Sequence, residues 1–299
     1  MDGFINLLKP PGMSSNDAVG FARRLLPRGT RVGHGGTLDP DAAGVLPVCV
    51  GKAARLFDYI IDKKKTYVAE LRLGLETDTQ DATGSIVARH DASAVTAEDI
   101  RTVLPRFVGE IDQIPPAYSA IKRDGQRMYD LARRGEAMEL EPRRVTVHGI
   151  EYLCQSGADR HMLRVSCGKG VYIRTLCHDI GRALGVGGHM AFLLRSEAGC
   201  FSVSDAATLE ELKAAEEAGE IEKLLRPMDE PLAAYPAVRL DGRYEWQVMN
   251  GQPIPSDWHS AALAPGEIAR VYVENTFAGM ARMDEEGLLR FRAMLMERH

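Results

Sequence analysis

The chain has 299 residues, of which 45% are hydrophobic and 26% are charged, as is usual for globular proteins. No apolar run approaches the ~20 residues of a membrane helix, and the N-terminus lacks the features of a signal peptide, so we predict a cytoplasmic protein. The five cysteines include no Cys-x-x-Cys pair, which disfavours a disulfide framework and a structural zinc site.

The net charge of −5 disfavours a nucleic-acid partner, but the charge is unevenly distributed. Residues 201–299 contain 10 Lys and Arg against 18 Asp and Glu, whereas residues 1–200 contain 27 against 24. The first two thirds of the chain could therefore carry a basic face.

The first half of the chain predicts a mixture of strands and helices. The apolar run FINLLKP predicts a strand, and Ser14 or Ser15 caps a helix that continues to Leu26. The glycine-rich loop GHGGTLDPDAAG, residues 33–44, comes next. It is followed by strand GVLPVCVG, helix KAARLFDYII, strand KTYVAELRLG, strand GSIVARH and helix TAEDIRTVLPRF.

The second half begins with AYSAIKRDGQRMYDLARRGE, which predicts a strand, a turn and a helix. Then come strands RRVTVHGIEYL and HMLRVSC, helix YIRTLCHDIGRALG, strand HMAFLLRSEAGCF and an acidic helix over 208–223. Short strands with Gly and Pro turns follow residue 234, where we predict a domain boundary. Because the elements do not alternate regularly as β-α-β, the pattern favours an α+β fold.

The glycine-rich loop permits three interpretations. Asp39 stands before Pro40, as is typical of turn residues, and its side chain could bond only its own backbone. The glycines could instead cradle a phosphate, although the spacing fits neither common phosphate-binding motif. Thirdly, Asp39 could be a catalytic carboxylate on a loop that a large substrate approaches closely. Asp41, two residues on, leaves a two-carboxylate glycosidase site possible.

A catalytic aspartate requires a cation that keeps it ionised and a platform that holds the substrate. Arg174 is a candidate cation, and Tyr67 and Tyr172 are candidate platforms. Each also has an ordinary structural interpretation, because tyrosines pack in half-buried positions and arginines lie on solvated helices.

Five segments together resemble one family, the bacterial tRNA pseudouridine-55 synthases of the TruB type. They occur in the family's order and with similar spacing, and they are LLKPPGMSSND (7–17), GHGGTLDPDAAGVLPVCVGKAARL (33–56), KKTYVAELRLGLETDTQDATG (64–84), IPPAYSAIKRDGQRMYDLARRGE (114–136) and CGKGVYIRTLCHDIGRALGVGGHMAFLLR (167–195). The segment after residue 234 looks like the family's small RNA-binding domain of PUA type.

The resemblance implies a mixed, mainly antiparallel sheet flanked by helices over residues 1–233 and a PUA-like domain over 234–299. It implies an enzyme that flips uridine 55 out of the tRNA T loop and isomerises it to pseudouridine. It also implies a monomer that needs no cofactor, metal, guide RNA or membrane. A non-catalytic tRNA-binding protein, an RNA-guided relative and a phosphate-binding metabolic enzyme are the competing hypotheses.

The resemblance also implies catalytic roles. Asp39 matches the essential aspartate, which would attack C1′, add to C6 of the uracil or abstract the C2′ proton; each route requires the ionised form. Arg174 matches the arginine that pairs with it, and Asp81 corresponds to a carboxylate that orients this arginine. Such a cation lowers the pKa of an aspartate by ~1–3 units. Tyr67 matches the tyrosine that stacks on the flipped base.

Further positions match substrate-binding residues of the family. His34 corresponds to the residue that fills the space left in the T loop, and Lys9 lies in the motif that supports the pocket. Tyr172 and Leu193 match pocket positions, and Lys65 could reach the RNA backbone. The basic residues of IKRDGQRMYDLARRGE would contact phosphates, foremost Lys122 and Arg127.

Overall fold

A computed structural model describes residues 1–61, 64–116, 122–123, 126–127, 141–259 and 261–297. The strands are β1 (Gly3–Lys9), β2 (Val32–His34), β3 (Ala43–Val50), β4 (Lys65–Leu73), β5 (Leu75–Thr77), β6 (Ile86–Arg89), β7 (Gly109–Gln113), β8 (Lys122–Arg123), β9 (Gln126–Arg127), β10 (Arg143–Gly157), β11 (Arg160–Cys167), β12 (Gly188–Ala198), β13 (Phe201–Ser202), β14 (Leu225–Arg226), β15 (Ala237–Leu240), β16 (Ile268–Val273), β17 (Thr276–Met283) and β18 (Leu289–Met294).

Six α-helices lie within the described part of the chain. They are α1 (Ser15–Leu25), α2 (Phe57–Ile61), α3 (Ala97–Val103), α4 (Ile173–Ala183), α5 (Leu209–Glu217) and α6 (Glu245–Met249). None of these helices is long and apolar enough to cross a membrane.

The main sheet has the strand order β14-β1-β3-β12-β4-β11-β10-β7, with β2 paired to β3 and β13 paired to β12. Among the described strands of this sheet, β3 and β12 form the one parallel pair, with Leu194 opposite Ala43 and Arg195 opposite Gly44. The predicted α+β fold with a mixed, mainly antiparallel sheet is therefore confirmed.

Local sequence explains how the first helix begins. The Ser14 side chain accepts a hydrogen bond from the backbone N–H of Asp17, whose carboxylate accepts one from the backbone of Ser14. This capping box fixes the start of α1 at Ser15. The Ser15 hydroxyl in turn contacts the glycine-rich loop, where it accepts a hydrogen bond from the Leu38 N–H.

Two predicted helices are shorter than the sequence suggests. The segment KAARLFDYII forms a 3₁₀ helix over Gly51–Leu56 before α2. The acidic helix ends at Glu217, and a 3₁₀ turn follows over Ile221–Leu224. Most of the predicted strand-turn-helix around residues 117–136 lies outside the described residues, which include only the short strands β8 and β9.

The hydrophobic core beneath the candidate site is formed by α4 and the centre of the sheet. Its members include Leu38, Tyr67, Leu193, Leu176 and Ile180. At the end of α4, a Cβ on Gly181 would overlap the backbone around residues 187–188, so only glycine lets the helix approach β12 this closely.

The C-terminal sheet has the order β15-β16-β17-β18 and a core of its own. Side chains of this sheet and of the residue after β18 also pack against the main sheet. Met280, Ala293 and Leu295 lie in one cluster with Phe4 and Val45. The two sheets are therefore joined by a continuous apolar contact.

Candidate active site

The loop that carries Asp39 joins β2 to β3 and is anchored on both sides of the aspartate. Leu38 is 3% exposed and packs into the core. The Ser15 hydroxyl accepts a hydrogen bond from the Leu38 N–H at 2.8 Å and donates one to the Leu38 carbonyl at 3.0 Å. On the other side, the Pro40 carbonyl accepts the Gly12 N–H at 3.0 Å. Asp39 thus has a fixed backbone position.

Lys9 supports the same loop from within the protein. Its ammonium group is fully buried and donates to the carbonyl oxygens of Pro10, Met13 and Pro40 at 2.8, 2.7 and 2.9 Å. Burial lowers the pKa of Lys9 to about 8, against the opposing effect of Asp41. The three carbonyls match the three N–H groups of the ammonium, so Lys9 anchors the loop through the Pro40 carbonyl.

Arg174 binds both carboxylate oxygens of Asp39 through two of its nitrogen atoms. Its Nε lies 3.0 Å from Asp39 Oδ2, and its Nη2 lies 3.2 Å from Oδ1. Its third nitrogen, Nη1, lies 3.6 Å from Oδ2 of Asp81. The arginine side chain is 6% exposed, so one buried guanidinium bridges two carboxylates.

Asp81 is itself held by a tight turn. Its Oδ1 accepts hydrogen bonds from the Thr79 hydroxyl at 2.7 Å, the Thr83 N–H at 3.0 Å and the Thr83 hydroxyl at 2.6 Å. Gln80, in the left-handed region at φ 62°, accepts the Thr175 hydroxyl at 2.9 Å. These bonds attach the turn to the first turn of α4 beside Arg174.

The electrostatics of Asp39 combine two opposing effects. Burial raises the pKa of the Asp39 carboxyl above its ordinary value, and the neighbouring Arg174 lowers it. Arg174 thus lowers the pKa of Asp39, as the sequence analysis predicts, but the increase caused by burial is larger. The Asp39 side chain is 39% exposed, so its carboxylate is accessible to solvent.

Tyr67 lies on β4, in the middle of the main sheet, and is 8% exposed. It packs in one cluster with Leu38 and Leu193, the residues beneath and beside the loop. Burial raises the pKa of the Tyr67 phenol, so the hydroxyl keeps its proton near neutral pH. The structure thus brings Asp39, Arg174, Asp81, Tyr67 and Leu193 together.

Tyr172 precedes α4 and is positioned through its backbone. The buried side chain of Gln113 accepts the Tyr172 N–H at 3.0 Å and donates to its carbonyl at 3.3 Å. Gln113 was not predicted from the sequence, where a glutamine at the end of a strand carries no distinctive signal.

His34 ends β2 and is half-buried, with an Nδ1 atom that has no hydrogen-bond partner among the described residues. Burial, together with the charge of Arg195, lowers the pKa of His34, so the ring is neutral at pH 7. Lys65, by contrast, is 7% exposed, and this burial does not favour the predicted contact with the RNA backbone.

Arg195 is a further residue of the site that was not predicted. It is 1% exposed on β12 and lies directly opposite Tyr67 in the strand pairing, and its positive charge lowers the pKa of the Tyr67 phenol against the larger effect of burial. The available sequence signal was a charged residue within the apolar strand AFLLRS.

The structure gives few side-chain contacts for the remaining predicted positions. Lys122 and Arg127 face each other in the pairing of β8 and β9, but their side chains lie outside the described residues. The described residues contain no group of His, Cys, Asp and Glu suited to a metal ion. Asp41 is exposed and makes no described hydrogen bond through its side chain.

Comparison with known proteins matches most of the chain to related family models. Residues 23–173 match the N-terminal domain of the TruB family of pseudouridylate synthases. Residues 174–233 match the tRNA pseudouridylate synthase B C-terminal domain, and residues 236–295 match the C-terminal segment described as pseudouridine synthase II TruB.

Curated relatives named tRNA pseudouridine synthase B resemble the chain over most of its length. The protein of Alkaliphilus oremlandii is 43% identical, with 96% of this chain and 94% of the relative covered. That of Symbiobacterium thermophilum is 47% identical over 84% of this chain and 82% of the relative. That of Dechloromonas aromatica is 45% identical over 97% and 94%.

Solved structures show the same fold. An H/ACA RNP bound to a substrate RNA containing 2′-deoxyuridine matches with a TM-score of 0.76 at 26% identity, over 99% of this chain and 86% of that one. A Cbf5–Nop10–Gar1 complex matches with a TM-score of 0.73 at 28% identity, over 99% and 84%.

Proposed function

The chain belongs to the TruB family of pseudouridylate synthases, and we propose that it isomerises uridine 55 in the T loop of tRNA to pseudouridine. The observation that carries this proposal is the carboxylate of Asp39, which the buried Arg174 binds, on a loop whose Leu38 packs in one cluster with Tyr67. The names of the curated relatives support tRNA as the substrate.

We further propose that the protein acts as a monomer without a guide RNA. Relatives named tRNA pseudouridine synthase B are 39–47% identical to this chain, whereas the H/ACA-type structures are 26–28% identical. The greater similarity favours the enzyme that recognises its RNA unaided.

Asp39 would start the reaction in its ionised form. Attack at C1′, addition at C6 and abstraction of the C2′ proton all begin from the carboxylate. The N1–C1′ bond breaks, the uracil rotates, and a C5–C1′ bond forms. C5 loses a proton and N1 gains one, so the product is an isomer and no cofactor is consumed.

The flipped uridine would occupy the space between Tyr67 and the catalytic loop. Tyr67 would stack on the base, and its hydroxyl would relay the C5 proton by accepting it on the oxygen while it gives up its own proton. Tyr172 and Leu193 would complete the pocket. The neutral ring of His34 would fill the place that the base leaves in the T loop, since a flat uncharged ring stacks as a base does.

We assign the catalytic domain to residues 1–233 and a PUA-like RNA-binding domain to residues 234–299. Lys122 and Arg127 would contact phosphates of the RNA. Lys9 and Lys65 act from inside the protein in this proposal, because both side chains are buried. The acidic C-terminal region would then add local contacts rather than strong electrostatic attraction.

The test is incubation of the purified protein with an unmodified tRNA transcript, followed by mapping of pseudouridine. We expect product at the T-loop uridine without a guide RNA or cofactor. Asp39→Asn should abolish turnover and leave tRNA affinity within a few-fold of the wild type, which separates catalysis from a purely binding role. Absence of product with the wild-type protein would refute the proposed activity.

A further inference from the structure

Arg195 is buried without a carboxylate partner. Its side chain is large and only 1% of the residue is exposed, and no described Asp or Glu lies within ion-pair distance of its guanidinium. A buried cation without a counter-charge is costly unless hydrogen bonds replace its hydration. Such a residue therefore needs a role beyond filling space.

The guanidinium ties both ends of the catalytic loop to β12. Its Nε donates to the Val45 carbonyl at 2.7 Å, its Nη2 to Gly36 at 3.0 Å, and its Nη1 to Thr37 at 3.4 Å. Gly36 and Thr37 precede Asp39, and Val45 follows it on β3. One planar group thus spans the loop that presents the carboxylate.

The backbone of the same residue fixes the loop exit. Arg195 pairs with Gly44 across the parallel contact of β12 and β3. Gly44 has φ +119°, and a Cβ there would overlap the backbone of Arg195. The loop and β12 consequently approach one another as closely as two backbones can.

Arg195 also acts on Tyr67, its cross-strand partner. The hydrogen bonds that its guanidinium donates go to carbonyls of the catalytic loop and of β3, whereas its backbone lies opposite Tyr67 in the pairing of β12 and β4. The same positive charge lowers the pKa of Tyr67 against the larger effect of burial.

We propose that Arg195 is the positioning residue of this active site: it sets the separation of the loop that carries Asp39 from Tyr67 on β4. This inference rests on the proposed function. It assigns to one buried residue the alignment of two groups, one on the loop between β2 and β3 and the other on β4.

The test compares Arg195→Lys with the control Arg164→Lys. Arg164 lies on β11, which β4 separates from β12, and its 50% exposed side chain pairs with Glu151 at 2.6 Å. Lysine keeps the charge in both variants and removes the planar fork. Single-turnover rates and tRNA dissociation constants are measured for each, together with the ¹³Cζ NMR signal of Tyr67, which Tyr67→Phe assigns.

We expect Arg195→Lys to lower the single-turnover rate by at least tenfold, to change tRNA affinity by less than threefold and to move the Tyr67 signal. Arg164→Lys should match the wild type in all three. Arg195→Gln, which keeps two donors without charge, provides the same readouts if the lysine variant does not fold.

An unchanged rate in a folded Arg195→Lys protein would overturn the proposal, as would an unmoved Tyr67 signal. A loss of affinity as large as the loss of rate would assign Arg195 a general structural role instead. These outcomes are distinct from failure of the proposed function, in which the wild-type protein itself would form no pseudouridine.

Discussion

Replacing Arg174 by lysine tests how the candidate site keeps its aspartate reactive. The guanidinium makes two contacts with Asp39, at 3.0 and 3.2 Å, and one with Asp81 at 3.6 Å. The ammonium of lysine is a single point charge and cannot reproduce this planar arrangement. The variant therefore retains a cation near the site but loses the bridge between two carboxylates.

The expected loss of rate in Arg174→Lys follows from the burial of the ion pair. Breaking a buried ion pair costs ~3–5 kcal/mol. The Asp39 side chain is 39% exposed, and solvent screening reduces the effect, so we expect about 2–3 kcal/mol in the transition state. At 1.36 kcal/mol for each factor of ten, the rate should fall roughly 30- to 160-fold.

The pH dependence has a defined sign. Burial raises the pKa of Asp39, and Arg174 opposes this increase. Weakening the arginine contact should raise the pKa further. Because the reaction needs the ionised carboxylate, the acid limb of the rate profile should move to higher pH, and part of the lost activity should return on the alkaline side of the new pKa.

The assay is single-turnover formation of pseudouridine across a range of pH. The matched control is Arg72→Lys, because Arg72 Nε lies 2.9 Å from Asp159 Oδ2 in an ion pair about one third exposed. That variant should keep the wild-type rate and profile. A wild-type rate and an unmoved acid limb in Arg174→Lys would refute the reasoning.

Three further predictions concern residues around the pocket. Tyr67→Phe should retain tRNA binding and lose most turnover, since stacking remains and the hydroxyl is removed; unchanged single-turnover rates would exclude a chemical role for the hydroxyl. Gly44→Ala should lower the free energy of unfolding by about 1–3 kcal/mol through overlap with the Arg195 backbone, measured by denaturant titration, and equal stability would contradict the described contact. Gln113→Ala should lower thermal stability and raise KM, because the Tyr172 backbone loses both hydrogen bonds; if KM stays constant, Gln113 does not position the substrate pocket.

The sequence predicted the fold class and most of the elements because apolar periodicity and capping residues are local signals. The start of α1 is an example, since Ser14 and Asp17 form the capping box that the sequence suggests. The start of α2 and the end of the acidic helix were less well predicted, because tertiary packing decides where a helix tightens into a 3₁₀ turn.

The candidate site was predicted only in part. Family resemblance pointed to Asp39, Tyr67 and Arg174, but it could not reveal which basic side chains are buried. Lys65 resembled an RNA contact, whereas the structure places it inside. Arg195 was missed because its role depends on strand pairing with Tyr67, and such long-range register is not a local property of sequence.

The position of β12 in the main sheet has a consequence for synthesis of the protein. β12 lies between β3 and β4, although both of these strands emerge from the ribosome well before residue 188. Until it arrives, each can present an unpaired edge that another chain could join. Contacts between distant segments also form slowly. The strand that brings Arg195 between the Asp39 loop and Tyr67 thus also joins the two halves of the sheet, so a nascent chain would align these two groups and cover the inner edges of β3 and β4 in the same step.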